Sequence, residues 1–168
     1  ASLDVSILSV TTDTTHQYPS RMVNITVVVK NNGNVSATFY VATYRNSTLI
    51  GNQTVTNLGA GASKTLIFNW STAGLTPCKK WIIRAEAPLI GDNNPGDNNV
   101  TDGSVKITMV GDVNADGVID GQDLLLIIGA IPSYRGHPWW NQYADLNDDE
   151  VVDGPDLATA LLNIPTCP

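Results

Sequence analysis

The chain has 168 residues, 42% hydrophobic and 15% charged, which leaves room for one large globular domain or two small ones with modest cores. A net charge of −7, with bases scattered singly apart from Lys79-Lys80, argues against a nucleic-acid surface. No run of about 18 apolar residues is present to span a bilayer, so no membrane insertion is expected of this segment, and the start at Ala1 without Met or leader reads as a mature or trimmed fragment.

The charge divides sharply near residue 110. Up to that point six acids face eight bases, about +2; beyond it ten acids face a single base, giving −9 over 58 residues. So acidic a segment repels itself when compact, and is either disordered or completed by cations. Apolar runs beside the acids argue against disorder. The domains are therefore placed at 1–110 and 111–168.

Residues 1–110 alternate with a period of two. Val23, Ile25, Val27 and Val29 share one face of a strand, and Asn24, Thr26 and Val28 the other. Strands are expected near residues 3–10, 21–30, 35–45, 47–50, 53–57, 63–70, 79–86 and 104–110, separated by turn chemistry at Asn31-Asn32-Gly33-Asn34, Gly51-Asn52, Gly59-Ala60-Gly61 and Pro77. Short strands at this spacing predict an antiparallel sandwich. Asn-X-Ser/Thr triplets begin at Asn24, Asn34, Asn46, Asn52, Asn69 and Asn99, consistent with a glycoprotein or simply with a Thr/Asn-rich extracellular surface. The oxygen-rich loop from Gly91 to Asn99 could bind a cation, but turn-forming Asn, Gly and Pro explain it without a ligand, and that plainer reading is preferred. His16 and His137 lie far apart and neither has a neighbouring nucleophile, so no catalytic residue is expected. Cys78 and Cys167 leave two readings open, a pair of buried thiols or one bridge in an oxidising compartment.

The run VVVKNNGNVSATFYVATYRNSTLIGNQTVTNLGAGASKTLIFNW, followed by IIRAEA and GDNNPGDNN, resembles the CARDB-type immunoglobulin-like repeat of bacterial and archaeal surface proteins. That resemblance implies an all-β immunoglobulin-like antiparallel sandwich, serving outside the cell as a spacer or adhesion domain without catalysis.

From Asp112 to Asp123, oxygen-bearing side chains fall at loop positions 1, 3, 5, 9 and 12, with glycine at position 6. A calcium ion takes six to eight oxygens at about 2.3–2.6 Å, and a twelve-residue loop of this spacing supplies them. Asp112, Asn114 and Asp116 are expected to bind through side chains and Val118 through its carbonyl, with Asp120 acting through water and Asp123 closing the shell. The pattern recurs 33 residues on as Asp145, Asn147, Asp149, Val151, Asp153 and Asp156. Beyond the loops Leu124 aligns with Leu157, Ile131 with Ile164 and Pro132 with Pro165, the prolines ending each exit helix. Asp120 and Asp123 form a relative of the capping box, so loop and helix are coupled, and without the ion the helix is expected to lose its start.

Position 12 is Asp in both loops, and no helix enters the first; these features, with the bridge SYRGHPWWNQYADLN, resemble a dockerin module. The resemblance implies a small all-α module of duplicated calcium loop-helix units that folds with Ca2+ and docks onto a cohesin-type domain. Its calcium residues carry over onto the twelve positions just named. Position 6 of the second loop is Glu150 rather than glycine, which makes that second site the less certain of the two. Loop positions 10 and 11, Gly121-Gln122 and Gly154-Pro155, lack the hydroxyls usual in the family, so partner specificity does not carry over.

The expected function is a non-catalytic cell-surface or secreted fragment, a calcium-dependent docking module on a sandwich spacer. Two alternatives stand beside it. One is a calcium-rigidified tail packed on its own sandwich with no cohesin partner. The other is an accessory module binding a cell-surface glycan, for which Trp139 and Trp140 are the aromatic candidates, although packing against the helices or the domain junction is their plainer role.

Overall fold

The computed structural model describes residues 1–164 and 166–168. Its strands are β1 (Val5–Thr12), β2 (His16–Gln17), β3 (Met22–Asn31), β4 (Ala37–Arg45), β5 (Thr48–Leu58), β6 (Ser63–Ser71), β7 (Lys79–Glu86), β8 (Asn99–Ile107), β9 (Ser133–Tyr134) and β10 (Val151–Val152). Its helices are α1 (Gly121–Ala130) and α2 (Gly154–Leu162). The chain forms two compact units, one of residues 1–15, 22–71 and 80–105, the other of residues 16–21, 72–79 and 106–168.

The first unit is mostly β, with one 3-10 turn at Pro95–Asp97, and sandwich-like. One sheet runs β1-β3-β6, and the other contains β8-β7-β4-β5 as neighbours. Two-residue alternation decides what faces inward. Val23 lies opposite Trp70, Ile25 opposite Phe68 and Val27 opposite Leu66, all buried. Such cross-strand pairs, two of them branched-aromatic, are the unit of sheet stability, each contributing roughly 0.2–1 kcal/mol over Ala-Ala. Phe39, Val41, Val55, Ile83, Ala85 and Val105 are among the buried residues of the other sheet. At the Asn31–Asn34 turn, the buried Asn31 amide donates to Val35 O and Leu58 O, both at 2.8 Å, and its Oδ1 accepts from Gly33 N at 2.9 Å. A Cβ on Gly33 would stand 2.3 Å from Ser2 O, so no side chain fits there. All six sequon asparagines are exposed.

Two strand expectations change. Residues 47–50 and 53–57 belong to the single strand β5, because Gly51-Asn52 does not turn but pairs with Thr43 and Ala42 beside a register shift at Thr43/Tyr44. A glycine at a bulge keeps the ladder running where the same glycine in a loop would reverse it. The last strand of this region lies at 99–107 rather than 104–110; its first half is exposed and polar, so it lacks an apolar alternation to read.

The second unit holds both helices. Its core joins Val113, Ile127, Ala130, Ala144, Leu146, Val152 and Ala160 with Tyr18, and Trp140 and Tyr143 pack against it. Tyr18 donates its hydroxyl to Tyr143 O at 2.7 Å, and the Tyr143 hydroxyl donates to His16 O at 3.2 Å. β9 and β10 pair antiparallel, so a short two-stranded ladder accompanies the helices in the 111–168 tail expected to be all-α, and β2 runs parallel to Lys106-Ile107. α1 ends two residues before Pro132. The matching Pro165 lies outside the described residues. Trp140 is half-buried and Trp139 exposed. Among the described residues no helix is long and apolar enough to cross a membrane.

Of the two readings left open for the cysteines, the structure has the bridge: Cys78 and Cys167 are joined, with their Cα atoms 5.6 Å apart and 89 positions of chain between them. Closing so long a loop restricts the unfolded chain and contributes on the order of 2–5 kcal/mol. Reduction, or Cys78→Ser, is expected to lower the unfolding midpoint of the second unit by that stabilisation. Thermal denaturation with and without reductant, followed by near-UV circular dichroism, checks it; an unchanged midpoint would count against a stabilising bridge.

Candidate metal centre

Each acidic loop is organised by its first and last carboxylates. Asp112 Oδ1 and Oδ2 accept from Asp116 N at 3.0 Å and Gly117 N at 2.9 Å, which draws the loop around its first residue. Asp123 Oδ1 accepts from Val113 N at 2.8 Å and Asn114 N at 3.2 Å, while its Oδ2 accepts from Asp120 N at 2.9 Å. One side chain thus holds the start of the loop and the start of α1 together. Asp120 completes a capping box and accepts from Gln122 N at 2.9 Å.

The same bonds recur 33 residues later. Asp145 accepts from Asp149 N and Glu150 N, and Asp156 from Leu146 N, Asn147 N and Asp153 N. Asn114 Oδ1 accepts from Asp116 N as Asn147 Oδ1 does from Asp149 N, and the two asparagine amides donate to Asp116 Oδ2 and Asp149 Oδ2. Val118 N and Val151 N donate to Asp116 Oδ1 and Asp149 Oδ1. Eight bonds in the first loop have counterparts in the second.

The loops differ in how tightly the acids gather. One carboxylate oxygen from each of Asp112, Asp116 and Asp123 lies within 4.8 Å of the others. Asp145, Asp149 and Asp156 do not meet that spacing among the described residues. Two substitutions accompany the difference. Pro155 stands where Gln122 stands in the first loop and has no N–H to give, so Asp153 Oδ1 is left buried without a donor. Glu150 takes the left-handed backbone, φ 67°, that Gly117 takes at φ 90°. That conformation costs a non-glycine residue about 1–2 kcal/mol. The exposed Arg135-Glu150 contact at 2.7 Å returns at most about 1 kcal/mol, so the second loop carries net strain.

Burial is the main electrostatic influence. It raises the Asp112 carboxyl above its ordinary value, with the charges of Asp123 and Asp116 adding to it and the bond from Gly117 N opposing it. Burial likewise raises Asp145, and burial followed by the charges of Asp156 and Asp149 raises Asp153. Asp112, Asp123 and Asp156 are wholly buried, and acids taken this far from water need a compensating cation or donor. The donors gathered at the first loop, from Asp112, Asp116 and Asp123, are hard carboxylate oxygens, which fit Ca2+ and not a thiolate- or imidazole-seeking metal.

Residues 2–87 match the CARDB family, and residues 110–160 match the dockerin type I domain. The chain belongs to the CARDB family and carries a dockerin type I domain after it. The solved structures most like it include the CARDB domain of a Pyrococcus furiosus protein in complex with di-metal ions, at 23% identity and TM-score 0.55, covering 64% of this chain and 94% of that one. A domain of a cell-surface protein from Methanosarcina acetivorans follows, at 21% identity and TM-score 0.51, covering 64% and 93%. A β-glucosidase from Erythrobacter marinus is similar over 63% of this chain and 16% of its own, at 15% identity and TM-score 0.51. At these identities the likeness is one of fold. No curated protein matches the chain.

Some residues around the dockerin loops gave no signal in the sequence. Arg21, within the CARDB match, donates Nη1 to Gln142 O at 2.9 Å and Nη2 to Asp145 O, and lies 3.8 Å from Asp148. In the sequence it is a lone base at the start of an expected strand. At the far end, Cys167 N donates to Gly117 O at 2.7 Å, and Thr166 bridges to Val118.

With cations chelated, the raised carboxyls set a definite pH dependence. A group whose folded pKa exceeds its unfolded value stabilises the fold below the unfolded value and ceases to do so as pH rises through the folded one. Asp112, Asp145 and Asp153 should therefore make the chelated second unit more stable as pH falls from neutrality toward the ordinary carboxylate value of 3.8. Thermal midpoints measured at fixed ionic strength across that range test it, and a midpoint that only falls with acidification would refute the assignment.

Proposed function

We propose that the chain is a non-catalytic surface-protein segment in which a CARDB spacer or adhesion domain carries a calcium-dependent dockerin module that docks onto a cohesin-type domain. One observation carries the reading: two loops of the same twelve-residue spacing repeat eight hydrogen bonds at a 33-residue offset, each ending on a buried acid at a helix start. In this reading Asp112, Asn114, Asp116, Val118, Asp120 and Asp123 hold one Ca2+, and Asp145, Asn147, Asp149, Val151, Asp153 and Asp156 a second. The chain changes family at 110/111. Glu150 and Pro155 make the second site the weaker.

A docking role is supported by the apolar residues the helices leave in water. Leu125 is 69% exposed and Leu162 85%, with Leu126, Ile128 and Leu161 also exposed. Apolar side chains left exposed on both helices suit a protein partner. The disulfide and the exposed sequons support an extracellular setting. Neither histidine supports catalysis: His16 packs on Tyr143 with its pKa lowered by burial, and His137 lies edge-on to Tyr134 and Trp139.

A second reading, a calcium-rigidified structural tail without a cohesin partner, draws support from the bonds that Tyr18 and Arg21 make to residues 142–145. Calorimetric titration with Ca2+ is expected to give binding tighter than millimolar, with a gain of helical circular dichroism. At about 100 times its Kd the ion would stabilise the fold by roughly 2.7 kcal/mol per site. Absence of sub-millimolar binding would sink both readings. Pull-down from the source's envelope fraction, with calcium and with chelator, separates them: a cohesin-bearing protein recovered only with calcium favours docking, and none recovered despite calcium binding favours the structural tail.

A further inference from the structure

A second gathering of acids lies in the first unit, far from the dockerin loops in sequence. One carboxylate oxygen from each of Asp4, Asp92 and Asp97 lies within 4.8 Å of the others. Asp4 immediately precedes β1, and Asp92 and Asp97 sit in the segment between β7 and β8. The backbone fixes the meeting: Leu3 bridges to Asp92, Asn93 N donates to Leu3 O at 2.8 Å, and Val5 N donates to Asp92 Oδ2 at 2.9 Å. Turn chemistry accounts for a loop at 91–99, but it does not account for Asp4 being brought to it.

An independent observation concerns Asn98. This side chain is only 6% exposed and is turned to the acids, its amide nitrogen 3.0 Å from Asp92 Oδ2 and 2.9 Å from Ala87 O. Its Oδ1 is buried with no hydrogen-bond donor. Asp4 Oδ1 and Asp97 Oδ1 are likewise shielded from solvent without a donor. Among the described residues no Lys, Arg or His pairs with any of the three acids. Buried acceptor oxygens of this kind are costly unless something positive meets them.

Asp92 is the fixed member of the group, its carboxylate accepting from Val5 N, Asn94 N and the Asn98 amide.

We propose that Asp4, Asp92 and Asp97, with the amide oxygen of Asn98, form a site for a calcium-sized divalent cation in the CARDB unit, separate from the dockerin loops. The ligands are all hard oxygens, which select Ca2+, Mg2+ or Mn2+ over softer metals. Opposite ligands on calcium stand roughly 5 Å apart, so oxygens that all lie within 4.8 Å of one another fit inside its coordination shell. Bound there, the ion ties the entry of β1 to the β7–β8 connection.

The test uses the full chain and Ca2+ alone, comparing wild type with Asp4→Asn and Asp97→Asn. Both substitutions keep side-chain shape and, with the ion chelated, remove a like charge, so neither is expected to impair folding. Calorimetry should give each variant one calcium equivalent fewer than wild type. In hydrogen exchange, calcium at ten times its Kd should slow exchange of the Val5 amide about tenfold in wild type and leave it unchanged in both variants. Equal stoichiometry in wild type and variants, or a Val5 amide indifferent to calcium in wild type, would overturn the proposal. The dockerin loops contribute equally to all three proteins, so their behaviour does not enter the comparison.

Discussion

The second unit depends on one carboxylate buried at the first turn of each helix. Asp123 and Asp156 each accept three backbone N–H groups, two from the start of the loop and one from the residue before the helix. Helices as short as α1 and α2 are unstable alone in water. A cap contributes about 1 kcal/mol, too little by itself, but here the capping acid also closes a twelve-residue loop. Neither loop nor helix can form without the other. Neutral donors do not fully offset a buried negative charge, and a cation in each proposed site would couple its binding to the stability of the helix.

The duplication is more than two loops in series. Val118 of the first bridges to Thr166, beyond α2, while Val151 of the second pairs with Tyr134, beyond α1. Each loop therefore backs onto the chain leaving the other helix, and the two halves brace one another. The Cys78–Cys167 bridge fastens the same exit segment that lies on Gly117. Lys106 adds a bond from its ammonium to Ala115 O at 3.1 Å. The second loop, strained at Glu150 and short of a donor at Pro155, has Arg21 on the carbonyl of its first acid instead.

What was legible in the sequence was what is local. The loop residues lie within twelve positions of one another, so their spacing alone carries the geometry of Asp112 and Asp123. The buried face of β3 follows from alternation because both sides of a strand are read from adjacent letters. Gly51-Asn52 was misread as a turn because the same dipeptide serves a bulge, and only the partner strand decides which. Tyr18, Arg21 and Asp4 gave no signal, since their roles depend on partners about 90 to 125 positions away. The cysteine pairing was open for the same reason.

Size explains why those distant residues are needed. The acidic segment has 58 residues and carries −9, and a core that small supplies only about 3–5 kcal/mol before its self-repulsion is counted. Its unit includes residues 16–21 and 72–79 as well. Tyr18 enters the core, Thr72 Oγ1 donates to Tyr18 O at 3.0 Å, Arg21 brings the nearest guanidinium to the second loop, and Cys78 anchors the end of the chain. A family boundary follows ancestry along the sequence, whereas a stability boundary follows burial and charge. In this chain the acidic loops lie on one side of residue 110 and part of what stabilises them on the other, so the borrowed segments, and cations held in the proposed sites, would answer the same deficit.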